Sequence, residues 1–170
     1  ISRRTLEACP QLKLVAVAAT GVDIVDLAAA AEHGVTVMNV PGYAAESVAE
    51  HVLALILSLR RAIGAHQAAA LDGGWTRAAG FCLLVSPIED LARSTLGVVG
   101  SGAIGDRVAE LGRAFGMEVL KAERPGADAV RPGRTPFEEV LARADVLTLH
   151  CPSTPQTRGL IGREALARMK

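Results

Sequence analysis

The stretch that decides the fold is Thr95–Gly105, which reads TLGVVGSGAIG. Its first residues are apolar and mostly β-branched, which predicts a buried strand. The glycines Gly100, Gly102 and Gly105 then follow with the spacing G-x-G-x-x-G. Such glycines permit a tight turn out of the strand, let the backbone approach a pyrophosphate and allow a helix to pack closely on the strand. The stretch therefore predicts a strand, a phosphate-binding turn and a helix.

The sequence after this turn continues to alternate helices and strands. The helix predicted over Ala103–Phe115 has one apolar face, made of Ile104, Val108, Leu111 and Phe115. Thr135 and Pro136 are typical of the N-cap and first turn of the next helix. The remaining predicted elements are strand Glu118–Ala122, helix Phe137–Arg143, strand Asp145–Leu149 and a helix over Arg163–Met169. This βαβαβ order is the half-unit of a doubly wound parallel sheet, an α/β fold.

The N-terminal part of the chain predicts a smaller βαβ unit. The apolar run Leu12–Ala19 is typical of a fully buried strand, and Val35–Val40 of a second strand that stops at Pro41. Between them Asp23 is placed to cap a helix over Val25–Glu32. The unit implies a parallel pair of strands.

A long helix is predicted between these two units, from about Ala45 to Ala70. It is apolar nearly all round, which is typical of a helix buried inside a domain or against another subunit. Leu71–Asp90 lacks a clean period and contains several glycines, so we expect an irregular crossing between two domains.

Composition excludes several classes of function. The 170 residues are 50% hydrophobic and carry 18 Lys and Arg against 18 Asp and Glu. A balanced charge gives no electrostatic reason to expect nucleic acid or an anionic membrane as a partner, and no apolar run is long enough to cross a bilayer. Three widely spaced cysteines without a CxxC pair indicate neither a disulfide framework nor a metal site. We therefore expect a soluble protein of the cytoplasm.

An acidic residue at the end of the second strand strengthens the prediction of a dinucleotide site. Glu123 lies 18 residues after Gly105, close to the spacing of a carboxylate that binds the ribose hydroxyls. Its charge favours NAD, because it would repel a 2′-phosphate. Arg124, Arg131 and Arg134 could instead hold that phosphate, so NADP stays possible, or they could form a solvated surface.

Four segments give the chain a resemblance to a known family. They are Ala19–Asp23 with Val25–Leu27, Asn39–Gly42 followed by Ser47–Glu50, Gly100–Gly105, and Leu149–Pro152 with Thr154–Gly162. In type and order they resemble the D-isomer-specific 2-hydroxyacid dehydrogenases. Phe81–Leu84 and Ala122–Arg124 are most similar to the glycerate dehydrogenase/hydroxypyruvate reductase branch.

The resemblance implies a domain organisation. Residues 1–45 would be the end of a flavodoxin-like substrate domain, and residues 46–170 the first half of a Rossmann-type NAD-binding domain. The helix that begins at Ala45 resembles the one through which members of the family dimerise, which implies a homodimer.

The resemblance also implies roles for particular residues. Ala103 and Ile104 would lie against the pyrophosphate, and Glu123 would bind the adenosine ribose. Cys151 and Pro152 would border the adenine, with Thr157 close by, and Thr20 would approach the nicotinamide from the other domain. Ile24 stands where the family commonly has Asn, which puts the hydrogen bonding of that loop in doubt.

We predict no catalytic residue in this chain. The Arg, Glu and His that the family uses to bind and protonate the substrate lie, by the resemblance, beyond Met169-Lys170. His150 is expected to be structural, and Glu50 and His51 are helix neighbours that do not face each other. Cys82 and Cys151 are predicted to be small core residues.

Two functions from different classes follow. In one, the chain is an internal fragment of an NAD(P)-dependent oxidoreductase that reversibly reduces a 2-keto acid, such as hydroxypyruvate or glyoxylate, to a D-2-hydroxy acid. In the other it is a non-catalytic NAD(H)-binding or dimerising module. A different Rossmann oxidoreductase is a third interpretation, which gives Leu149–Gly162 no purpose.

Overall fold

The computed structural model describes all residues from Ile1 to Lys170, which form two parallel β-sheets with helices packed on them. The strands are β1 (Leu14–Ala16), β2 (Thr36–Met38), β3 (Thr95–Val99), β4 (Glu118–Lys121) and β5 (Val146–Leu149). The helices are α1 (Arg3–Glu7), α2 (Leu27–Glu32), α3 (Ala45–Arg60), α4 (Ile63–Leu71), α5 (Gly74–Arg77), α6 (Ala103–Ala114), α7 (Phe137–Arg143) and α8 (Arg163–Arg168). No helix has both the length and the apolar character needed to span a membrane.

The three-stranded sheet has the order β4-β3-β5, with all strands parallel. All five residues of β3 are buried, because both faces of the sheet are covered. On one face Leu96 and Val98 pack in a cluster with α3 and α6, and on the other Val99 packs in a cluster with α7. The sequence-based boundaries of this half are confirmed to within one residue at each end.

The two-stranded sheet pairs β1 with β2 in parallel and packs on α1 and α2. The prediction that Leu12–Ala19 is a fully buried strand is wrong. The strand has three residues, and of these only Val15 is buried. The reason is that helices cover one face only, so side chains alternate between core and solvent. The expected helix cap is also wrong, since Asp26 rather than Asp23 caps α2 by accepting a hydrogen bond from the Ala29 amide at 2.9 Å.

The single long helix predicted from Ala45 to Ala70 is in fact two. The chain leaves helical geometry after α3, where Ala62 has φ of 47°, and α4 starts again at Ile63. Burial of the whole helix within the chain is not observed either, because Leu59 is 80% exposed and α4 has no buried residue. The irregular segment that follows contains one short helix, α5.

Three smaller expectations are corrected by the structure. The residue that precedes α7 is Pro136, and the Thr135 side chain makes no capping bond. Phe115 follows the last residue of α6 and is 43% exposed, so it is not part of the core. Cys82 is exposed rather than buried, since its loop does not pack on the core.

Candidate functional site: a cleft at the carboxyl end of the three-stranded sheet

The glycine-rich turn brings β3, α6 and the end of β5 into close contact. Gly100 has φ of +96°, and a side chain there would place its Cβ 2.5 Å from the Cys151 amide nitrogen. A Cβ on Gly105 would lie 2.3 Å from the Gly100 carbonyl oxygen. Neither contact is possible for a side-chain atom, so both positions require glycine. The predicted packing of helix on strand thus has a direct geometric cause.

The middle of the same turn is open, in contrast to its two ends. A Cβ on Gly102 would have no atom within 4 Å, and the backbone there is extended. The first-turn amides of α6, beginning at Ala103, have no partner within the helix and lie at the positive end of its dipole. Next to them the Ser101 hydroxyl oxygen is buried and has no hydrogen-bond partner within the chain. Donors without partners beside open space fit a phosphate group.

A cavity of about 560 Å³ extends from this turn along the carboxyl ends of β3, β4 and β5. It is lined by Val99, Gly100, Ser101, Ala122, Glu123, Arg124, Pro125, Arg131, Arg134, Cys151, Pro152, Thr154, Gln156, Thr157 and Leu160. Ligands of open α/β sheets bind in this crevice outside the carboxyl ends of the strands. The position and size of the cavity suit the adenosine end of a dinucleotide.

Glu123 is the buried carboxylate of this cavity, with 4% of its surface exposed. Its Oε1 accepts the Arg124 amide at 2.8 Å and Arg131 Nη2 at 2.5 Å. Its Oε2 accepts Arg131 Nε at 2.7 Å and the Arg131 amide at 3.1 Å. The Arg131 guanidinium, followed by the Arg124 amide, lowers the pKa of Glu123 to about 2. The carboxylate is therefore ionised throughout the physiological pH range.

The opposite wall of the cavity is a loop held by threonine hydroxyls. Thr157 Oγ1 donates to the Pro152 carbonyl oxygen at 2.6 Å and accepts the Thr154 amide at 2.8 Å. Cys151, where this loop begins, is half-buried and packs against the same core cluster as α7. These bonds fix the shape of a wall that has few charges of its own.

The structure brings most of the predicted site residues together. Gly100, Glu123, Arg124, Cys151, Pro152 and Thr157 line the cavity, and Gly102, Ala103, Ile104 and Gly105 form the adjoining turn and helix start. Thr20 does not line this cavity; it lies after β1, where its hydroxyl donates to the Val40 carbonyl oxygen at 3.2 Å. The individual roles of these residues stay predictions.

Sequence reasoning missed the bond between Glu123 and Arg131 and the buried hydroxyl of Ser101. The first was hidden because the two residues are eight positions apart in a loop. The only signal for this bond in the sequence was the presence of several arginines after Glu123. Ser101, which stands between Gly100 and Gly102, carries no signal of its own.

His150, Glu50 and His51, which were considered in the sequence analysis, do not line the cavity. His150 Nε2 lies 2.9 Å from Thr148 Oγ1, and burial lowers the pKa of the imidazole. Glu50 and His51 are both exposed, with no hydrogen bond between them. No three His, Cys, Asp or Glu side chains are grouped so that they could hold a metal ion.

These features define a class first: a Rossmann-type nucleotide-binding fold. Comparison with known families then makes the assignment specific. Residues 53–170 match the family described as D-isomer specific 2-hydroxyacid dehydrogenase, NAD binding domain. Because the match covers more than half of the chain, the chain belongs to this family.

Individual relatives agree with this assignment. The chain is 45% identical over 166 residues to the glycerate dehydrogenase of Methylorubrum extorquens, covering 98% of this chain and 52% of the relative. The D-lactate dehydrogenase of Aquifex aeolicus, solved with NAD and lactic acid, is 33% identical with a TM-score of 0.85, covering 100% of this chain and 50% of that one. An acyclic imino acid reductase solved with NADPH and D-Arg is 26% identical with a TM-score of 0.84, covering 100% and 54%. The chain thus spans about half the length of the relatives it matches.

Proposed function

We propose that this chain forms the cofactor-binding part of an NAD-dependent oxidoreductase that acts on the CH–OH group of a D-2-hydroxy acid. The reaction is the reversible reduction of a 2-keto acid, such as hydroxypyruvate or glyoxylate. One observation carries the proposal: the open Gly102 turn, with its unpaired donors, leads directly into a cavity that holds a buried carboxylate. The relative named glycerate dehydrogenase supports the choice of substrate.

Each part of the cleft then has a role toward the dinucleotide. The amides of Ala103 and Ile104, with Gly102 leaving room, receive the pyrophosphate. Glu123 and Arg124 lie at the adenosine ribose, and the Cys151–Thr157 loop borders the adenine. When bound, the nicotinamide ring supplies or accepts the hydride. Thr20 approaches that end of the cofactor from the first sheet.

In our proposal, the general acid and the group that binds the substrate carboxylate are not among the 170 residues of this chain. A general acid needs a side chain that can exchange a proton within hydrogen-bond reach of the carbonyl oxygen. His150 bonds Thr148, and His51 is on an exposed helix surface, so neither is arranged for that task. We accordingly assign residues 1–45 to a substrate domain and 46–170 to the cofactor domain, and we expect these 170 residues alone to bind the cofactor without turning over substrate.

We also propose that the protein is a homodimer. Helices α3, α4 and α5 and the loop after them expose large apolar side chains, among them Leu59, Leu71 and Phe81 with 80%, 81% and 97% of their surface exposed. Large apolar side chains left exposed in this number are a feature of interaction surfaces, which supports an interface here. Leu59→Glu should convert a dimer to a monomer in sedimentation equilibrium, whereas Leu27→Glu, at an exposed leucine of α2, should not.

The experiment that tests the function uses the protein encoded by the whole gene that contains this sequence. NADH binding is measured by nicotinamide fluorescence, and NADH oxidation is followed with hydroxypyruvate and with glyoxylate. Binding with turnover supports the proposal. Binding without turnover of any 2-keto acid would identify the alternative, a non-catalytic NAD(H)-binding module. Failure to bind NADH would refute both the dehydrogenase and the non-catalytic module.

The three unpaired cysteines lead us to propose that the protein is located in the cytoplasm, which cell fractionation tests.

A further inference from the structure

The carboxylate of Glu123 has no free acceptor position. A carboxylate has about four lone-pair sites, and Glu123 uses them for two backbone amides and two nitrogens of one guanidinium. The hydroxyl pair of an adenosine ribose needs acceptor positions on the same oxygens. The ribose can therefore bind Glu123 only by displacing the side chain of Arg131, since the amides belong to the backbone.

The Arg131 side chain is the exposed member of the pair. It is 54% exposed, whereas Glu123 is 4% exposed. The loop that carries it is anchored at its base, where Ala122 pairs with Thr135 and the Glu123 amide donates to the Thr135 carbonyl oxygen at 2.8 Å. Rotation of this one exposed side chain would free the carboxylate without breaking the pairing at the loop base.

The charges around the pair favour an anion when the pair is closed. Glu123 is then neutralised by Arg131, and the cavity also contains Arg124 and Arg134. Neither of these two arginines has a carboxylate partner in the chain. The repulsion that an acidic residue at this position normally exerts on a 2′-phosphate is thereby removed, and two guanidinium groups remain to bind it.

We propose that Arg131 is a specificity-determining residue that allows this cleft to bind NADP(H) as well as NAD(H). With Arg131 on Glu123, the cleft accepts the 2′-phosphate of NADP(H) through Arg124 and Arg134. With Arg131 displaced, Glu123 accepts the ribose hydroxyls of NAD(H). The inference rests on the proposed function, because both cofactors use the same cleft.

The test compares dissociation constants rather than activity. NADH and NADPH are titrated into the full-length protein and followed by nicotinamide fluorescence, and adenosine 2′,5′-bisphosphate and 5′-AMP are titrated by calorimetry to isolate the adenosine end. The variant is Arg131→Met. The matched control is Arg113→Met, at an exposed arginine of α6 that lies outside the cavity.

We expect the wild-type protein to bind both cofactors. Arg131→Met should shift the ratio of the two dissociation constants toward NADH by about tenfold or more, because the freed Glu123 carboxylate can accept the ribose hydroxyls of NADH and repels the 2′-phosphate of NADPH. The two adenosine compounds should show the same shift, and Arg113→Met should show none. Glu123→Gln should move the ratio in the opposite direction, which keeps the test decisive where one variant fails to fold.

The outcomes separate this inference from the function on which it rests. An unchanged ratio in Arg131→Met, or an equal loss of both cofactors, would overturn the role of Arg131. A wild-type protein that binds NADH but not NADPH would also overturn it and leave the dehydrogenase proposal intact. A protein that binds neither would refute the proposed function itself.

Discussion

The two parallel sheets of this chain differ in how many of their faces are covered. β3 is buried along its whole length, with one apolar cluster on each face of its sheet. β1 and β2 have a single cluster beneath them, and on their other face Leu14 and Met38 are 49% and 58% exposed. The stability of β3 is thus determined by contacts within this chain, whereas that of β1 and β2 is determined only in part by such contacts.

The largest expected effect tests this difference directly. Leu96 in β3 is fully buried, so Leu96→Ala should lower the free energy of unfolding by about 2–5 kcal/mol through lost burial and a cavity. Leu14→Ala in β1 removes the same atoms from a half-exposed site and should cost about 1 kcal/mol or less. Urea denaturation followed by far-UV circular dichroism measures both. If both variants lost the same unfolding free energy, β1 and β3 would depend equally on the core of this chain, against our expectation.

A second comparison lies within the glycine-rich turn. Gly105→Ala places a Cβ against the Gly100 carbonyl oxygen and should cost about 1–3 kcal/mol by overpacking, with loss of NADH binding. Gly102→Ala meets no atom and has an ordinary extended backbone, so its melting temperature should equal that of the wild type. Its NADH affinity should nevertheless fall, because the methyl group lies where the pyrophosphate approaches. If Gly102→Ala bound NADH with unchanged affinity, the pyrophosphate would not lie next to Gly102.

Two ion pairs, one in each half, sharpen the comparison through pH. The pKa of Glu123 is lowered to about 2 in the folded chain, so its contribution to stability is complete above its ordinary pKa of 4.5 and is lost as the pH falls toward 2. The difference in melting temperature between wild type and Glu123→Gln should accordingly shrink over that window. Arg3 also lowers the pKa of Glu32, but that pair is exposed and screened. Glu32→Gln should therefore change the melting temperature little at any pH; a pH dependence as steep as that of Glu123 would contradict this reading of the two pairs.

The difference between the halves also explains which features the sequence could predict. Thr95–Val99 is confirmed to the residue because a strand covered on both faces is apolar throughout, and the glycines that follow it have a fixed geometric purpose. The short β1 was predicted too long because an apolar run does not reveal that one face is bare. The glycine-rich turn, in contrast, could be predicted because it depends only on the local spacing of Gly100, Gly102 and Gly105.

Features that depend on distant contacts were not visible. The chain bends at Ala62, although no glycine or proline stands there; next to it Arg61 Nη1 binds Asp90 Oδ1 at 2.5 Å and Arg60 pairs with Glu89. These partners are 29 residues away in sequence, beyond the reach of helical periodicity. The Glu123–Arg131 pair was hidden for the same reason, because only the folded loop brings the guanidinium onto the carboxylate.

The smallest expected effect concerns this bend. Ala62 holds a left-handed conformation that an L-residue adopts at a cost and glycine does not, so Ala62→Gly should raise the free energy of unfolding by about 0.5–1 kcal/mol. Ala68→Gly, at an exposed position inside α4, should lower it by a similar amount, about 0.5–1 kcal/mol, because glycine there loses more backbone freedom on folding. The same substitution thus has opposite signs six residues apart, and urea denaturation of the two variants measures them side by side. If both lowered stability, the backbone would be helical through residue 62, and α3 and α4 would be the single helix that the apolar pattern predicts.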